Sequence, residues 1–143
     1  MTRKDALIAL RDNVQAGRMD DTSAFHDVSQ QVWLHDAFHG YLDAAKQFHD
    51  AVLPGWWFQI GTCCVSDDAR VAPDYNDKTH RARLIKQFPA IIDGEEWDSI
   101  TDIDQRPAGN LARALLLADL TALIWIEEVN ADLGSDRSQW MQP

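Results

Sequence analysis

The chain is poor in cysteine and in positive charge, and it has no long apolar run. Its two cysteines, Cys63 and Cys64, are adjacent. Neighbours on an extended chain point to opposite faces, so these two do not bond to each other. That excludes a disulfide framework and predicts two buried thiols in a reducing cytoplasm. Lys and Arg number 13 against 23 Asp and Glu, a formal net charge of -10. Gripping a nucleic-acid backbone or an anionic membrane surface needs clustered basic residues, so both partners are disfavoured. No stretch reaches the roughly 20 apolar residues of a membrane helix. The apolar run Ala6-Leu7-Ile8-Ala9-Leu10 is followed by Arg11 and Asp12, which is too short for a secretory signal core. Repeats, low-complexity tracts and linkers are also missing. Residues 1–143 therefore read as a single domain, with a 45% hydrophobic content that suits one sizeable core.

What is present is organised around Leu53-Pro54-Gly55-Trp56-Trp57-Phe58-Gln59-Ile60-Gly61-Thr62. Pro54-Gly55 stops a helix, and the aromatic and β-branched run after it reads as a strand. Upstream, residues 1–17 read as a short helix: Ala6, Leu7, Leu10 and Val14 recur at helical spacing and Gly17 ends it. Residues 23–53 read as one long helix. Leu34, Phe38, Tyr41, Ala45, Phe48 and Val52 form its apolar stripe. His35, His39, Asp43, Lys46 and Asp50 fall opposite, and His49 lies on that same broad side. A third strip, Ala37, Gly40, Ala44 and Ala51, holds only small residues, which let another backbone of this chain or of a second copy come close.

Downstream, residues 56–73 read as a β-hairpin. Trp56, Phe58 and Ile60 share one face; Trp57, Gln59 and Gly61 share the other. A turn covers 65–69, a short return strand covers 70–72, and Pro73 ends it or places it on an edge. Residues 74–109 are irregular, with a short helix near 79–88 and a third strand near 99–103. Asn110 caps a helix over 110–130 that is apolar nearly all round, so it needs cover on both sides. Residues 131–143 read as a frayed tail. The expected fold is α+β: a small antiparallel sheet of two or three strands covered by three to four helices.

Four segments carry a resemblance. Leu53-Pro54-Gly55-Trp56, Cys64-Val65-Ser66-Asp67-Asp68, Pro73-Asp74-Tyr75-Asn76 and Ala112-Arg113-Ala114-Leu115-Leu116-Leu117 resemble a group of short uncharacterised proteins encoded in tailed phages and prophages. The resemblance spans roughly residues 42–124. Its hairpin, Pro-Asp-Tyr and alanine- and leucine-rich helix are similar to the phage ABA-sandwich domain, in which a small sheet lies between helices. The resemblance implies a fold and a genomic setting, and no catalytic residue comes with it.

Candidate sites are few. His35 and His39 stand four apart, the spacing of paired metal ligands, and also the spacing of any solvated helix face. No glutamate follows the first histidine to serve as a base. Asp74, Asn76 and Asp77 alternate oxygen ligands, and Asp102 with Asp104 makes a second pair. With His80 they sketch a metal-dependent hydrolase holding Mg²⁺ or Ca²⁺, although turn and cap chemistry accounts for the same residues. Asp27 beside His26 suggests an acid–base pair with no nucleophile near it. Trp56 and Trp57 read as core, or as an interface anchor if exposed. No catalytic, cofactor or metal residue is assigned on this basis. The expected function is that of a cytoplasmic accessory protein acting by protein binding, with a homodimer as the expected partner. Ala37, Gly40, Ala44, Trp56 and Trp57 are the candidate interface. The alternatives are the hydrolase and an acidic decoy imitating DNA, the latter weakened because the basic residues are interspersed.

Overall fold

A computed structural model describes residues 2–62, 67–73, 100–104 and 110–140. Helix α1 spans Arg3–Gln15. Thr2 and Asp5 close a reciprocal capping box at its start, which satisfies amide groups the first turn leaves open. Leu7, Leu10 and Val14 form its buried stripe. Helix α2 spans Val28–Phe38 and is capped by Asp27, whose carboxylate accepts from the Gln30 amide at 3.1 Å. Helix α3 spans Leu42–Val52.

The single long helix expected over 23–53 is therefore two helices. The break is a glycine device. The Tyr41 N–H donates to the Asp36 carbonyl and the Gly40 N–H to the Ala37 carbonyl, both at 3.0 Å, with Gly40 at φ +100°. This is the Schellman arrangement, which ends a helix on a left-handed residue. Gly17, at φ +81°, ends α1 in the same way, with Arg18 N–H on Asn13 O and Gly17 N–H on Val14 O. Gly40 thus serves backbone conformation. It does not provide the close helix approach expected from the small-residue strip.

Strands β1 (Trp56–Thr62), β2 (Asp67–Pro73) and β3 (Ile100–Asp104) make an antiparallel sheet in the order β1-β2-β3. Phe58 stands opposite Val71, and Val71 opposite Ile100. Strand β2 starts at Asp67, so three residues of the expected 65–69 turn belong to the ladder. Pro73 pairs with Trp56 at the end of β2, beyond the last β3 pairing at Val71, where no second neighbour among the described residues needs its missing N–H. Trp57, Gln59, Gly61 and Arg70 are exposed, whereas Trp56, Ala69 and Val71 are buried.

Helix α4 spans Leu111–Trp140. Asn110 caps it, accepting from the Arg113 amide at 3.0 Å. It continues through the residues expected to form a frayed tail. Nothing in 131–140 is a proline, so no residue there forces the helix to stop. Leu115, Leu116, Leu117, Ala118 and Leu120 are fully buried. Cover comes from β2 and β3 on one side and from α1, α2 and α3 on the other. The described helices thus stack on one face of the sheet, with α4 innermost. A second helical layer of the ABA-sandwich kind is not among the described residues. Each buried leucine contributes about 1.5–3 kcal/mol by leaving water.

Two substitutions test this frame by chemical denaturation. Leu116→Ala is expected to cost about 2–5 kcal/mol through the lost contacts and the cavity left behind. A Cβ at Gly40 would meet nothing closer than Asn110 Oδ1 at 3.9 Å, so Gly40→Ala is expected to cost about 1–2 kcal/mol through backbone strain alone.

Candidate functional site

Two polar side chains among the described residues are wholly buried, His49 and Asp119, each 0% exposed. They lie 70 residues apart in sequence. Helix α3 brings His49 inward in its last turn, beside the start of β1. Helix α4 brings Asp119 to the same point from the middle of its apolar run. His49 Nδ1 and Asp119 Oδ1 are 2.6 Å apart, and His49 Nε2 lies 3.0 Å from the Trp56 carbonyl oxygen. The Phe58 ring closes the edge, its centroid 4.9 Å from that of His49.

The partners determine the protons. A carbonyl only accepts, so Nε2 carries a hydrogen and donates to Trp56 O. A second proton lies between Nδ1 and Oδ1. Whether drawn as imidazolium and carboxylate or as neutral imidazole and acid, the pair carries no net charge, which is what an apolar core tolerates. Burial pushes the Asp119 carboxyl up to about 6, against the opposing hydrogen bond and charge of His49. For His49, burial acts downward. The hydrogen bond and charge of Asp119, the Trp56 carbonyl and the charge of Asp50 outweigh it, so its net shift is upward. Asp119 Oδ2 is buried and has no hydrogen-bond partner among the described residues.

A histidine–carboxylate dyad serves catalysis when its outer nitrogen faces a substrate. Here that nitrogen is committed to a backbone carbonyl and both side chains are sealed. The arrangement is a cross-tie: it binds the end of α3, the apolar stretch of α4 and the first residue of β1. A second tie lies one helical stretch away. Arg113 of α4 donates from Nη2 to the Phe38 carbonyl at 3.0 Å and stacks its guanidinium 4.3 Å from the Phe38 ring centre. This satisfies a last-turn carbonyl of α2 with a cation.

The residues singled out from sequence fall elsewhere. His35 and His39 are exposed on α2 and its C-cap, ring centres 4.5 Å apart, with Asp36 Oδ1 3.8 Å from His35 Nδ1. His49 does not share their solvated side; the turn at Gly40 re-aims α3 and points His49 inward. His26 is exposed, and Asp27 is occupied as a helix cap. Asp102 and Asp104 lie on β3, where Asp104 stands opposite Asp67. Asp74, Asn76, Asp77, His80, Cys63 and Cys64 lie outside the described residues. Among the described residues no group of three or more His, Cys, Asp or Glu side chains is placed to hold a metal ion. Of the candidate interface, Ala37, Ala44 and Trp56 are buried within this chain. They are not open to a second copy, which corrects that part of the expectation. Gly40 lies in the turn, and Trp57 is 38% exposed.

Sequence reasoning missed the dyad, although a signal existed. Asp119 is the one charged residue between Arg113 and Glu127, and a carboxylate inside an apolar helix needs a partner. No protein family, no curated protein and no solved structure matches the chain.

Removing one member of the dyad leaves the other buried and unpaired. His49→Ala or Asp119→Ala is expected to destabilise by about 3–5 kcal/mol, whereas His49→Phe combined with Asp119→Leu costs far less. The pH dependence follows from the proton the pair holds in the folded state. That proton leaves His49 of the unfolded chain near 6.5 and leaves the folded pair later. The folded state binds more protons in that window, so the pair's stabilisation falls as pH rises through it. Denaturation of the wild type and the double variant from about pH 6 to pH 9 should show the wild type losing ground above the ordinary histidine value; a flat or rising difference would contradict this.

Proposed function

We propose that the chain is a small binding protein that acts through protein contacts and associates with a second copy of itself. The observation that carries this is the outer side of α2. Val28 is 72% exposed and Val32 51% exposed, one helical turn apart, and Tyr41 in the turn that follows is 66% exposed. Every other apolar side chain of α2 and α3 is at least partly covered. Two neighbouring valines and a tyrosine in water suit a contact surface. Trp57, on the open face of β1, adds a further aromatic of the type that anchors interfaces.

The expected partner changes its place on the molecule with this reading. The small-residue strip is used up inside the chain, and the outer face of α2 takes its role. The segments that resemble proteins of tailed phages and prophages support an accessory role in that setting. Among the described residues no helix is long and apolar enough to cross a membrane, which is in keeping with work in the cytoplasm. The deficit of basic residues disfavours nucleic acid as the partner.

The test is the oligomeric state. Sedimentation equilibrium over a wide concentration range should show self-association in the wild type. Val28→Ser combined with Val32→Ser should weaken it with little change in unfolding temperature, because exposed positions contribute within about 0.5 kcal/mol. A wild-type chain that stays monomeric throughout, with divalent cations present as well as absent, would refute the dimer.

A further inference from the structure

We propose that His35 and His39 form half of a zinc-class cation site, which a second copy of the chain completes with the same two residues. The proposal rests on the self-association reading and names what holds it together. Two imidazoles four residues apart on a helix chelate one borderline-soft divalent ion. On a tetrahedral ion, with Zn–N near 2.0–2.1 Å, their nitrogens sit about 3.3 Å apart and their ring centres about 5 Å apart. The ring centres here are 4.5 Å apart at an interplanar angle of 60°, a separation close to that geometry.

The surroundings favour the same reading. Asp36 Oδ1 lies 3.8 Å from His35 Nδ1. The carboxylate stands on the Nδ1 side of the ring, which leaves Nε2 as the atom open to an ion. The His39 ring rests edge-on against Phe38, 5.2 Å between centres, which limits its freedom before binding. Both histidines are exposed, so an ion can enter without opening the fold.

One chain supplies two ligands, and a tetrahedral shell takes four. The stripe that holds the histidines points to the source of the others. Val28, Val32, His35 and His39 recur at intervals of four, three and four, the seam of a helix pair. Two copies crossing antiparallel at the histidines bring four imidazoles together and lay Val32 of each toward exposed Tyr41 of the other. Charge argues the same way. Each chain carries a formal -10, so two copies repel, and a divalent cation at the contact offsets that repulsion.

The experiment uses untagged chain with zinc added, read by calorimetry for stoichiometry and by sedimentation for mass. Zinc should drive dimerisation with one ion per two chains. His35→Ala and His39→Ala should each abolish it while leaving the unfolding temperature near the wild-type value. Uptake of one ion per monomer without dimerisation would overturn the shared site. A dimer that forms equally with chelator present, and without zinc uptake, would overturn the site and leave self-association standing. A chain that stays monomeric and takes up no zinc would overturn both.

Discussion

A carboxylate buried in the apolar stretch of the longest helix is the constraint on which the rest of the structure depends. Asp119 has no water to solvate it. A charge in that place is tolerable only if a cation or a proton goes with it. His49 supplies that proton through a 2.6 Å contact, and the Trp56 carbonyl holds the far side of the ring at 3.0 Å. Three elements must therefore be in register for one polar group to be satisfied: the end of α3, the apolar stretch of α4 and the start of β1. Apolar packing alone would accept a slide of α4 along the sheet. The dyad does not, because any slide separates Nδ1 from Oδ1 and leaves two buried polar groups unmatched.

The remaining architecture follows from covering α4. Its residues 114–118 are buried without interruption, which no helix with one dry face would show. The sheet takes one side, and α1, α2 and α3 take the other. The Schellman glycines Gly17 and Gly40 let short helices fold back over α4 instead of running past it. Arg113 then ties the end of α2 to the start of α4 by its guanidinium on Phe38. The helical layer is thus secured at two points, one ionic and buried, one cationic and half-exposed.

Much of this frame was legible in the residues. The periodicity of Leu7, Leu10 and Val14 marks α1, the alternation of Trp56, Phe58 and Ile60 marks the covered face of β1, and the unbroken apolar run after Asn110 marks α4. The break at Gly40 was not legible, for a physical reason. The stripe Leu34, Phe38, Ala45 and Phe48 stays in step across the turn, because the two helices bury against the same neighbour, and Tyr41, expected within it, is exposed. Periodicity reports which residues face the core and is silent on whether the backbone is continuous. Partner identity was equally hidden. Asp119 signals only that it needs a partner, and His49 looks like an ordinary surface residue, until tertiary structure closes the 70-residue gap between them. The same closure buried Ala37 and Ala44 and left Val28 and Val32, unremarkable in sequence, as the open apolar surface.

The division between the buried dyad and the open face of α2 separates stability from the interaction we propose. In that proposal histidines do both jobs, and their surroundings decide which. His49 is locked between a carboxylate and a carbonyl, whereas His35 and His39 stand in water beside two valines. The most direct test of the account is the protonation of His49 itself, followed by nitrogen-15 resonance of its ring between pH 5 and pH 8. The account predicts a slowly exchanging Nε2 proton and a ring that releases its second proton only above the ordinary value of 6.5. A His49 ring that titrates at that ordinary value, with protons exchanging freely with water, would contradict it.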